Sequence, residues 1–289
     1  MSRPPTFVPP PCSRSRMLRT SRGEFAVLDA VPAAERGAPS ATGLLLPGFT
    51  GSKEDFIALL TPLTDAGFRV VCVDGRGQFE TAGPDDVDAY SQRELALDVL
   101  AQVDAVAADG SVHLLGHSLG GQIARAAVLE VAATAAASPF RTLTLMSSGP
   151  ARITAAQQQR VALLSRALTE LSMVEVWAAM QAFETPEEAA VDGEDLRRRW
   201  LRHHPKQLIT TGRQLSVEPD RVDELAAVPG LPVHVISGES DDTWPVPLFD
   251  RMAERLGARR TVIAGAGHSP NTDRPQETAE AVAKFWAAH

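Results

Sequence analysis

The stretch that decides the fold is Val112-His113-Leu114-Leu115-Gly116-His117-Ser118-Leu119-Gly120-Gly121. Its apolar first part, Val112–Leu115, predicts a buried strand, and the Ala-rich segment that follows predicts a helix. Between them, Gly116–Gly120 fits the pattern G-x-S-x-G at a tight strand-to-helix turn. The glycines keep side chains out of the crowded turn, and the start of the helix adds free N–H groups and a positive dipole end. The stretch therefore predicts Ser118 as a nucleophile.

The whole chain has the composition of an ordinary globular protein. It has 289 residues, of which 44% are hydrophobic and 22% charged, which excludes a disordered or collagen-like chain and a disulfide scaffold. The net charge of −8 disfavours nucleic acid as a partner, because phosphate binding needs a basic surface. No run of about 18 apolar residues is present, so we expect no membrane-spanning helix and no membrane partner.

Cysteine usage and the N-terminus bear on the compartment. Cys12 lies in a Pro-rich N-terminal stretch and Cys72 in an apolar run, which makes them an unlikely disulfide pair. The N-terminus has arginines without an apolar signal core behind them. We therefore expect free thiols and a cytoplasmic protein. Residues 1–15 are expected to form an irregular or loosely attached arm.

Further strands and helices alternate on both sides of the opening stretch. The predicted strands are Arg16–Thr20, Glu24–Val31, Gly43–Leu46, Arg69–Val73, Val112–Leu115, Thr142–Met146, Val233–Ile236 and Thr261–Ala264. Near-continuous apolar strands that alternate with helices indicate a parallel sheet covered on both faces. From about Gly149 to Val228 the strand pattern stops and the apolar spacing becomes helical. We therefore predict a core of residues 1–148 and 229–289, interrupted by a helical insertion at 149–228.

With these elements and the serine turn, the chain resembles the α/β-hydrolase fold superfamily over nearly its whole length, apart from the N-terminal arm. The resemblance implies a mostly parallel central sheet flanked by helices, with the insertion as a helical cap over the site. It also implies a triad whose order along the chain is nucleophile, acid and histidine, in a serine hydrolase of esterase type.

The acid is expected in the loop after the strand Val233–Ile236. Gly238, Asp241 and Pro245 resemble the family's G-x-x-D-x-x-x-P segment, which favours Asp241. Asp242 is the alternative, because the adjacent pair leaves one position of uncertainty. The next strand is followed by Gly265-Ala266-Gly267-His268, which resembles the family's histidine segment. His268 would then act as general base, and the acid would orient it.

The oxyanion hole is expected at the end of the strand Gly43–Leu46. Pro47-Gly48-Phe49 resembles the family's His-Gly-x turn, with a proline in place of the usual histidine. Gly48 would allow the backbone to approach closely, and the N–H groups of Phe49 and Leu119 would be the two donors.

The pocket and the cap are less constrained by the sequence. Trp177, Met180 and Phe183 are candidates for the pocket lining, although their helical spacing fits the cap's own core equally well. The other candidate substrate-binding residues are Gly48, His117 and Trp244. Arg197-Arg198-Arg199 is expected to be a solvated helix face, with an anionic substrate as the alternative. The adjacent pair His203 and His204 has no third ligand at a suitable spacing, so we expect no metal and no cofactor.

The leading functional prediction is hydrolysis of a carboxylic ester or thioester of a small to medium, largely apolar molecule through an acyl-enzyme. The same triad would also serve an acyltransferase, an amidase or peptidase, or a cofactor-free perhydrolase. A non-catalytic small-molecule sensor on the same fold is a further alternative. The sequence does not indicate an oligomeric state.

Overall fold

A computed structural model describes residues 2–107, 111–134, 137–182 and 193–289. Its strands form one eight-stranded sheet in the order β1-β2-β4-β3-β5-β6-β7-β8. The strands are β1 (Ser13–Thr20), β2 (Gly23–Ala30), β3 (Thr42–Leu46), β4 (Arg69–Val73), β5 (Val112–His117), β6 (Phe140–Met146), β7 (Val233–Gly238) and β8 (Arg259–Ile263). The hairpin β1–β2 is antiparallel and β2 joins β4 antiparallel, whereas all remaining pairs are parallel.

The helices lie in chain order between and after these strands. They are α1 (Ile57–Asp65), α2 (Gln92–Val106), α3 (Leu119–Ala133), α4 (Ala155–Glu170), α5 (Met173–Gln181), α6 (Gly193–Arg202), α7 (Pro205–Val217), α8 (Val222–Ala226), α9 (Val246–Leu256), α10 (Pro270–Asp273) and α11 (Pro275–Trp286). Side chains of α2, α3, α8 and α9 share one apolar cluster with the sheet, and those of α1 and α11 share a second.

The central strands of the sheet are buried on both faces, and most of their residues are apolar, with His113, His117 and His234 among the exceptions. Every residue of β3, β5 and β7 is buried, and so is every residue of β4 after Arg69. This burial follows from the apolar sequence of these strands, since strands covered on both sides need apolar side chains at successive positions. The predicted fold class is confirmed, and the parallel arrangement brings the carboxyl ends of β3, β5, β7 and β8 to one edge.

Helices α4 to α8 lie between β6 and β7, and we call them the inserted helices. Those from α4 to α7 share an apolar cluster of their own, formed by Leu168, Val176, Trp177, Leu196, Trp200 and Leu208. The last one, α8, packs into the cluster of the core through Val222 and Leu225. The inserted helices are therefore held partly by their own core and partly by the sheet.

The N-terminal arm is more ordered than the sequence predicts. Strand β1 begins at Ser13, inside the stretch expected to be irregular, and pairs Ser13 with Ala30. Ahead of it, Pro4 is buried and Phe7 packs against the cluster of the inserted helices. The arm is therefore packed against the rest of the protein, because Pro4 and Phe7 bury apolar surface there.

The two cysteines do not form a disulfide in the structure. Cys12 and Cys72 are both free, as expected, and Cys72 is fully buried in β4. Burial raises the pKa of the Cys72 thiol well above its usual value. In the described residues, no helix combines the length and the hydropathy that a membrane crossing requires.

Acid conditions are expected to destabilise this fold through buried histidines. Burial is the main factor that lowers the pKa of His117 to about 4 and that of His234 to about 3, against an ordinary value of 6.5. The unfolded chain therefore takes up protons below pH 6.5 that the folded chain refuses, so stability is lost as pH falls from 6.5 towards these values. Between pH 7 and pH 5, each histidine should lower the free energy of unfolding by about 2 kcal/mol.

Urea unfolding at pH 7 and pH 5 measures this loss. His234 is the second residue of β7, away from the strand ends that carry the site described below, so His234→Gln should keep activity and reduce the loss by about 2 kcal/mol, the share of one histidine. A loss between the two pH values that is as large in His234→Gln as in the unchanged protein would contradict the prediction.

Candidate active site

Ser118 lies at the turn between β5 and α3, in a backbone conformation that side chains rarely adopt. Its φ is 53° and its ψ is −119°. The flanking glycines make this turn possible. A Cβ on Gly116 would lie 2.3 Å from the carbonyl oxygen of Gly120, and one on Gly120 would lie 2.4 Å from that of Leu46. Strain of this kind is typical of functional turns, and here it places the Ser118 side chain at the carboxyl edge of the sheet.

His268 bridges Ser118 and Asp241. Its Nε2 lies 3.0 Å from the Ser118 Oγ, and its Nδ1 lies 2.9 Å from the Asp241 Oδ2. A carboxylate only accepts hydrogen bonds, so the proton of the neutral ring sits on Nδ1. The lone pair of Nε2 then faces the Ser118 hydroxyl, which is the arrangement in which a histidine can take up a serine proton.

The two adjacent aspartates differ in their surroundings. The Asp241 side chain is buried, and its Oδ1 accepts hydrogen bonds from the N–H groups of Thr243 at 2.8 Å and Trp244 at 3.0 Å. The Asp242 side chain is 67% exposed, and it accepts from the Gln157 amide at 2.8 Å. Of the two carboxylates that the sequence leaves open, the structure brings Asp241 to His268.

Backbone contacts hold the acid loop and the histidine loop together. The N–H of Ser240 donates to the carbonyl of Ala266 at 3.2 Å. A Cβ on Gly238 would lie only 2.1 Å from the carbonyl oxygen of Gly267, so a side chain at Gly238 would push the loops apart. The spacing between Asp241 and His268 therefore depends on this close approach.

His117 ties the serine turn to the histidine loop. Its Nε2 donates to the carbonyl oxygen of His268 at 2.9 Å, and the two rings lie 5.2 Å apart. Burial, followed by the nearby His268, lowers the pKa of His117 to about 4, so the ring is neutral at neutral pH. Because a carbonyl only accepts, the neutral ring carries its proton on Nε2. His117 is therefore a positioning residue for the His268 backbone.

The loop after β3 approaches Ser118 closely. A Cβ on Gly48 would lie 3.3 Å from the Ser118 Cβ. The hydrogen bonds among the described residues leave the N–H groups of Phe49 and Leu119 without an acceptor. Gln78, which sequence reasoning did not single out, donates to the Gly48 carbonyl at 2.9 Å. Because that carbonyl and the Phe49 N–H belong to one planar peptide, Gln78 fixes the direction of the N–H as well.

A cavity of about 420 Å³ opens in front of Ser118. Gly48 and His117 line it near the serine. Its apolar wall is formed by Phe49, Ile153, Val161 and Leu215, and its polar residues include Thr50, Gln157, Arg160, Asp242, Thr243 and Ser269. Helix α4 supplies residues of both sets and α7 supplies Leu215, so the inserted helices shape the space in which a substrate would bind.

The other candidates for the pocket lie elsewhere. Trp177 is buried in the cluster of the inserted helices and Met180 packs against it, as the alternative interpretation of their spacing predicts. Phe183 is outside the described residues. Trp244 is buried with its ring 6.0 Å from that of His268, and its Nε1 donates to the carbonyl of Ala151. It therefore packs behind the histidine and does not line the cavity.

The arginine run of α6 is not uniformly solvated, which corrects the sequence expectation. Arg197 and Arg198 are exposed, whereas the Arg199 side chain is fully buried and donates from Nη1 to the Asp55 Oδ1 at 2.7 Å. The helical spacing of the sequence already indicates that Arg199 is buried. Arg199 follows the buried Leu196 by three residues, so the two side chains lie on the same helix face, and the next residue, Trp200, is also buried.

In the part of the chain that the structure describes, metal-ligating side chains do not gather at this site or at another. No group of three histidine, cysteine, aspartate or glutamate side chains that could hold an ion occurs within residues 2–107, 111–134, 137–182 and 193–289. His203 instead lies within hydrogen-bond distance of two backbone carbonyls, those of Arg199 and Gly51.

A family model described as the alpha/beta hydrolase family matches residues 44–281. Solved structures with the same fold include a hydrolase from Pseudomonas aeruginosa PA01, which is 26% identical with a TM-score of 0.72 and covers 94% of this chain and 98% of its own. A thermophilic esterase from Thermogutta terrifontis is 21% identical with a TM-score of 0.72, and the shares covered are 95% and 98%. An enol-lactonase from Burkholderia xenovorans LB400 is 19% identical with a TM-score of 0.70, and the shares are 94% and 100%. None of the curated proteins compared gives a significant match.

Proposed function

Because the chain belongs to the alpha/beta hydrolase family, we propose that it is a serine hydrolase that cleaves a carboxylic ester or thioester through an acyl-enzyme. The observation that carries the proposal is the position of His268, 3.0 Å from the Ser118 Oγ and 2.9 Å from the Asp241 carboxylate. This geometry supplies a nucleophile, a base that can take its proton and a group that orients the base.

In the proposed reaction, the Ser118 Oγ attacks the carbonyl carbon of the substrate while its proton moves to Nε2 of His268. The negative charge that develops on the carbonyl oxygen is stabilised by the N–H groups of Phe49 and Leu119. His268 then returns the proton to the leaving alcohol or thiol, and Asp241 stabilises the imidazolium between these steps. Water, activated by His268, releases the acid and restores Ser118.

The shape and lining of the cavity support a small to medium, largely apolar substrate. The apolar wall favours a largely apolar acyl or alcohol group, because such a group gains free energy when it leaves water. A volume of about 420 Å³ suits a molecule of small to medium size. The esterase and enol-lactonase among the structural neighbours act on bonds of this type, which is consistent with the proposal.

A fluorophosphonate probe and a panel of activated substrates test the proposal. We expect one equivalent of probe on Ser118 by mass spectrometry, and release of acid from short p-nitrophenyl esters and thioesters. Analysis of products with water, amine, alcohol or peroxide present would reveal acyl transfer, amide cleavage or perhydrolysis. An unlabelled Ser118, no turnover, and a melting temperature raised by small ligands would instead support a sensor.

A further inference from the structure

The N-terminal arm reaches the cavity that contains Ser118. Ser2 forms part of the cavity wall, together with Asp55. The Ser2 Oγ donates to the Asp55 Oδ2 at 2.7 Å, and the Ser2 carbonyl accepts from Nη2 of Arg199. A residue of the chain itself therefore fills one end of the cavity with one hydrogen-bond donor and one acceptor.

The two side chains that hold Ser2 form a buried ion pair. Asp55 lies in the loop region after β3 and Arg199 lies in α6, so the pair joins the core to the inserted helices. Both side chains have no exposed surface, and Nε of Arg199 has no hydrogen-bond partner within the described part of the chain. A buried pair of this kind is stable only when its remaining donors and acceptors are bonded, and Ser2 provides two of those bonds.

We propose that the Asp55–Arg199 pair is a polar subsite of the substrate cavity, and that the arm occupies it until a substrate displaces it. The ligand it would take is a neutral group that both donates and accepts a hydrogen bond, for example a primary carboxamide. A carboxylate would meet the charge of Asp55 and an ammonium group that of Arg199, so both are disfavoured. This inference rests on the proposed hydrolase function.

Phe7 anchors the arm to the inserted helices, in addition to the bonds of Ser2 and the burial of Pro4. Phe7 packs against the cluster of the inserted helices, and its ring lies 5.8 Å from the guanidinium of Arg199. Val8, the next residue, is 73% exposed. Removing the Phe7 side chain should therefore loosen the arm, whereas shortening Val8 should leave it in place.

Displacement of the arm should be visible in substrate preference. A substrate group that enters the subsite must compete with the arm, so its apparent affinity falls in proportion to the fraction of protein in which the subsite is free. The matched probes are p-nitrophenyl 4-carbamoylbenzoate and p-nitrophenyl 4-isopropylbenzoate, which have similar shapes and differ in hydrogen bonding. The quantity measured is the ratio of their kcat/KM values, carbamoyl over isopropyl.

We expect Phe7→Ala to raise this ratio about tenfold, as the loss of a half-buried aromatic contact of about 1.4 kcal/mol would do. Ser2→Ala removes only the bond to Asp55 and should raise the ratio about fivefold, as a net hydrogen bond of about 1 kcal/mol would do. Val8→Ala is the matched control on the arm, and its ratio should equal that of the unchanged protein.

Labelling of Ser118 by fluorophosphonate separates the two proposals. If Phe7→Ala and Ser2→Ala are labelled normally and keep the original ratio, the subsite is wrong while the hydrolase proposal stands. If none of the proteins is labelled, the hydrolase proposal itself fails. A rise in the ratio for Val8→Ala equal to that for Phe7→Ala would also overturn the assignment, because the effect would not depend on docking of the arm.

Discussion

Replacing Ser118 with alanine should lower kcat/KM for p-nitrophenyl butyrate by about 10⁴-fold or more, because it removes the proposed nucleophile, the hydroxyl oxygen that lies 3.0 Å from Nε2 of His268. Ser118→Ala keeps the backbone of the turn, and the glycines around it still fit, so the protein should fold normally. The oxyanion donors and the cavity are also unchanged. The expected loss therefore lies in kcat, with KM close to that of the unchanged protein.

Ser147 offers a matched control for this substitution. It follows β6 with a φ of 45°, close to the 53° of Ser118, and its buried Oγ has no hydrogen-bond partner among the described residues. Ser147→Ala should keep activity within about twofold, since it removes no bonded polar group. Initial rates and the mass shift with a fluorophosphonate compare the two variants. Equal activity of Ser118→Ala and the unchanged protein would rule out the proposed nucleophile.

The sequence predicts the sheet and the order of its loops because both depend on local pattern. Strand β5 is a short run of mostly apolar residues, and Gly116 of its turn is needed because a side chain there would meet the backbone of Gly120, four residues further on. Parallel strands place their carboxyl ends at one edge, so loops after β5, β7 and β8 must meet. The positions of Ser118 and His268 follow from that topology alone.

A local sequence pattern does not explain why Asp241, and not the adjacent Asp242, contacts His268. Asp241 and Asp242 have the same chemistry and follow the same strand. What separates them is the direction of the loop, which turns the Asp241 carboxylate onto the N–H groups of Thr243 and Trp244 and leaves Asp242 at the surface. Spacing from Gly238 and Pro245 favours the same residue, but only the packed loop gives the physical reason.

The end of the cavity that Ser2 and Asp55 form could not be predicted from the sequence, because its residues lie far apart in the chain. Ser2 and Asp55 are separated by 53 positions, and Asp55 and Arg199 by 144. A run of three arginines predicts a solvated helix face, because burying a charge is costly when it has no partner. The partner of Arg199 comes from the loop region after β3, and no periodicity in α6 identifies it.

Replacing Asp241 with asparagine should lower kcat by about 10⁴-fold, even though the two side chains have nearly the same shape. The N–H groups of Thr243 and Trp244 both donate to Oδ1 of Asp241, so the oxygen of the asparagine amide must stay at that position. Its NH₂ group then faces Nδ1 of His268. A donor at this place forces the ring proton onto Nε2, and His268 can no longer accept the proton of Ser118.

Asp242→Asn is the matched control, because it makes the same chemical change one position along the chain. The Asp242 side chain is 67% exposed, and its hydrogen bonds and ion pair go to the side chains of Gln157, Thr243 and Arg160, none of which belongs to the proposed triad, so kcat should change less than about threefold. Steady-state rates and the rate of fluorophosphonate labelling should fall together in Asp241→Asn, since both need a base at Nε2. The reverse result, a large loss in Asp242→Asn with Asp241→Asn active, would show that the loop adopts another arrangement during catalysis and would assign the acid to Asp242.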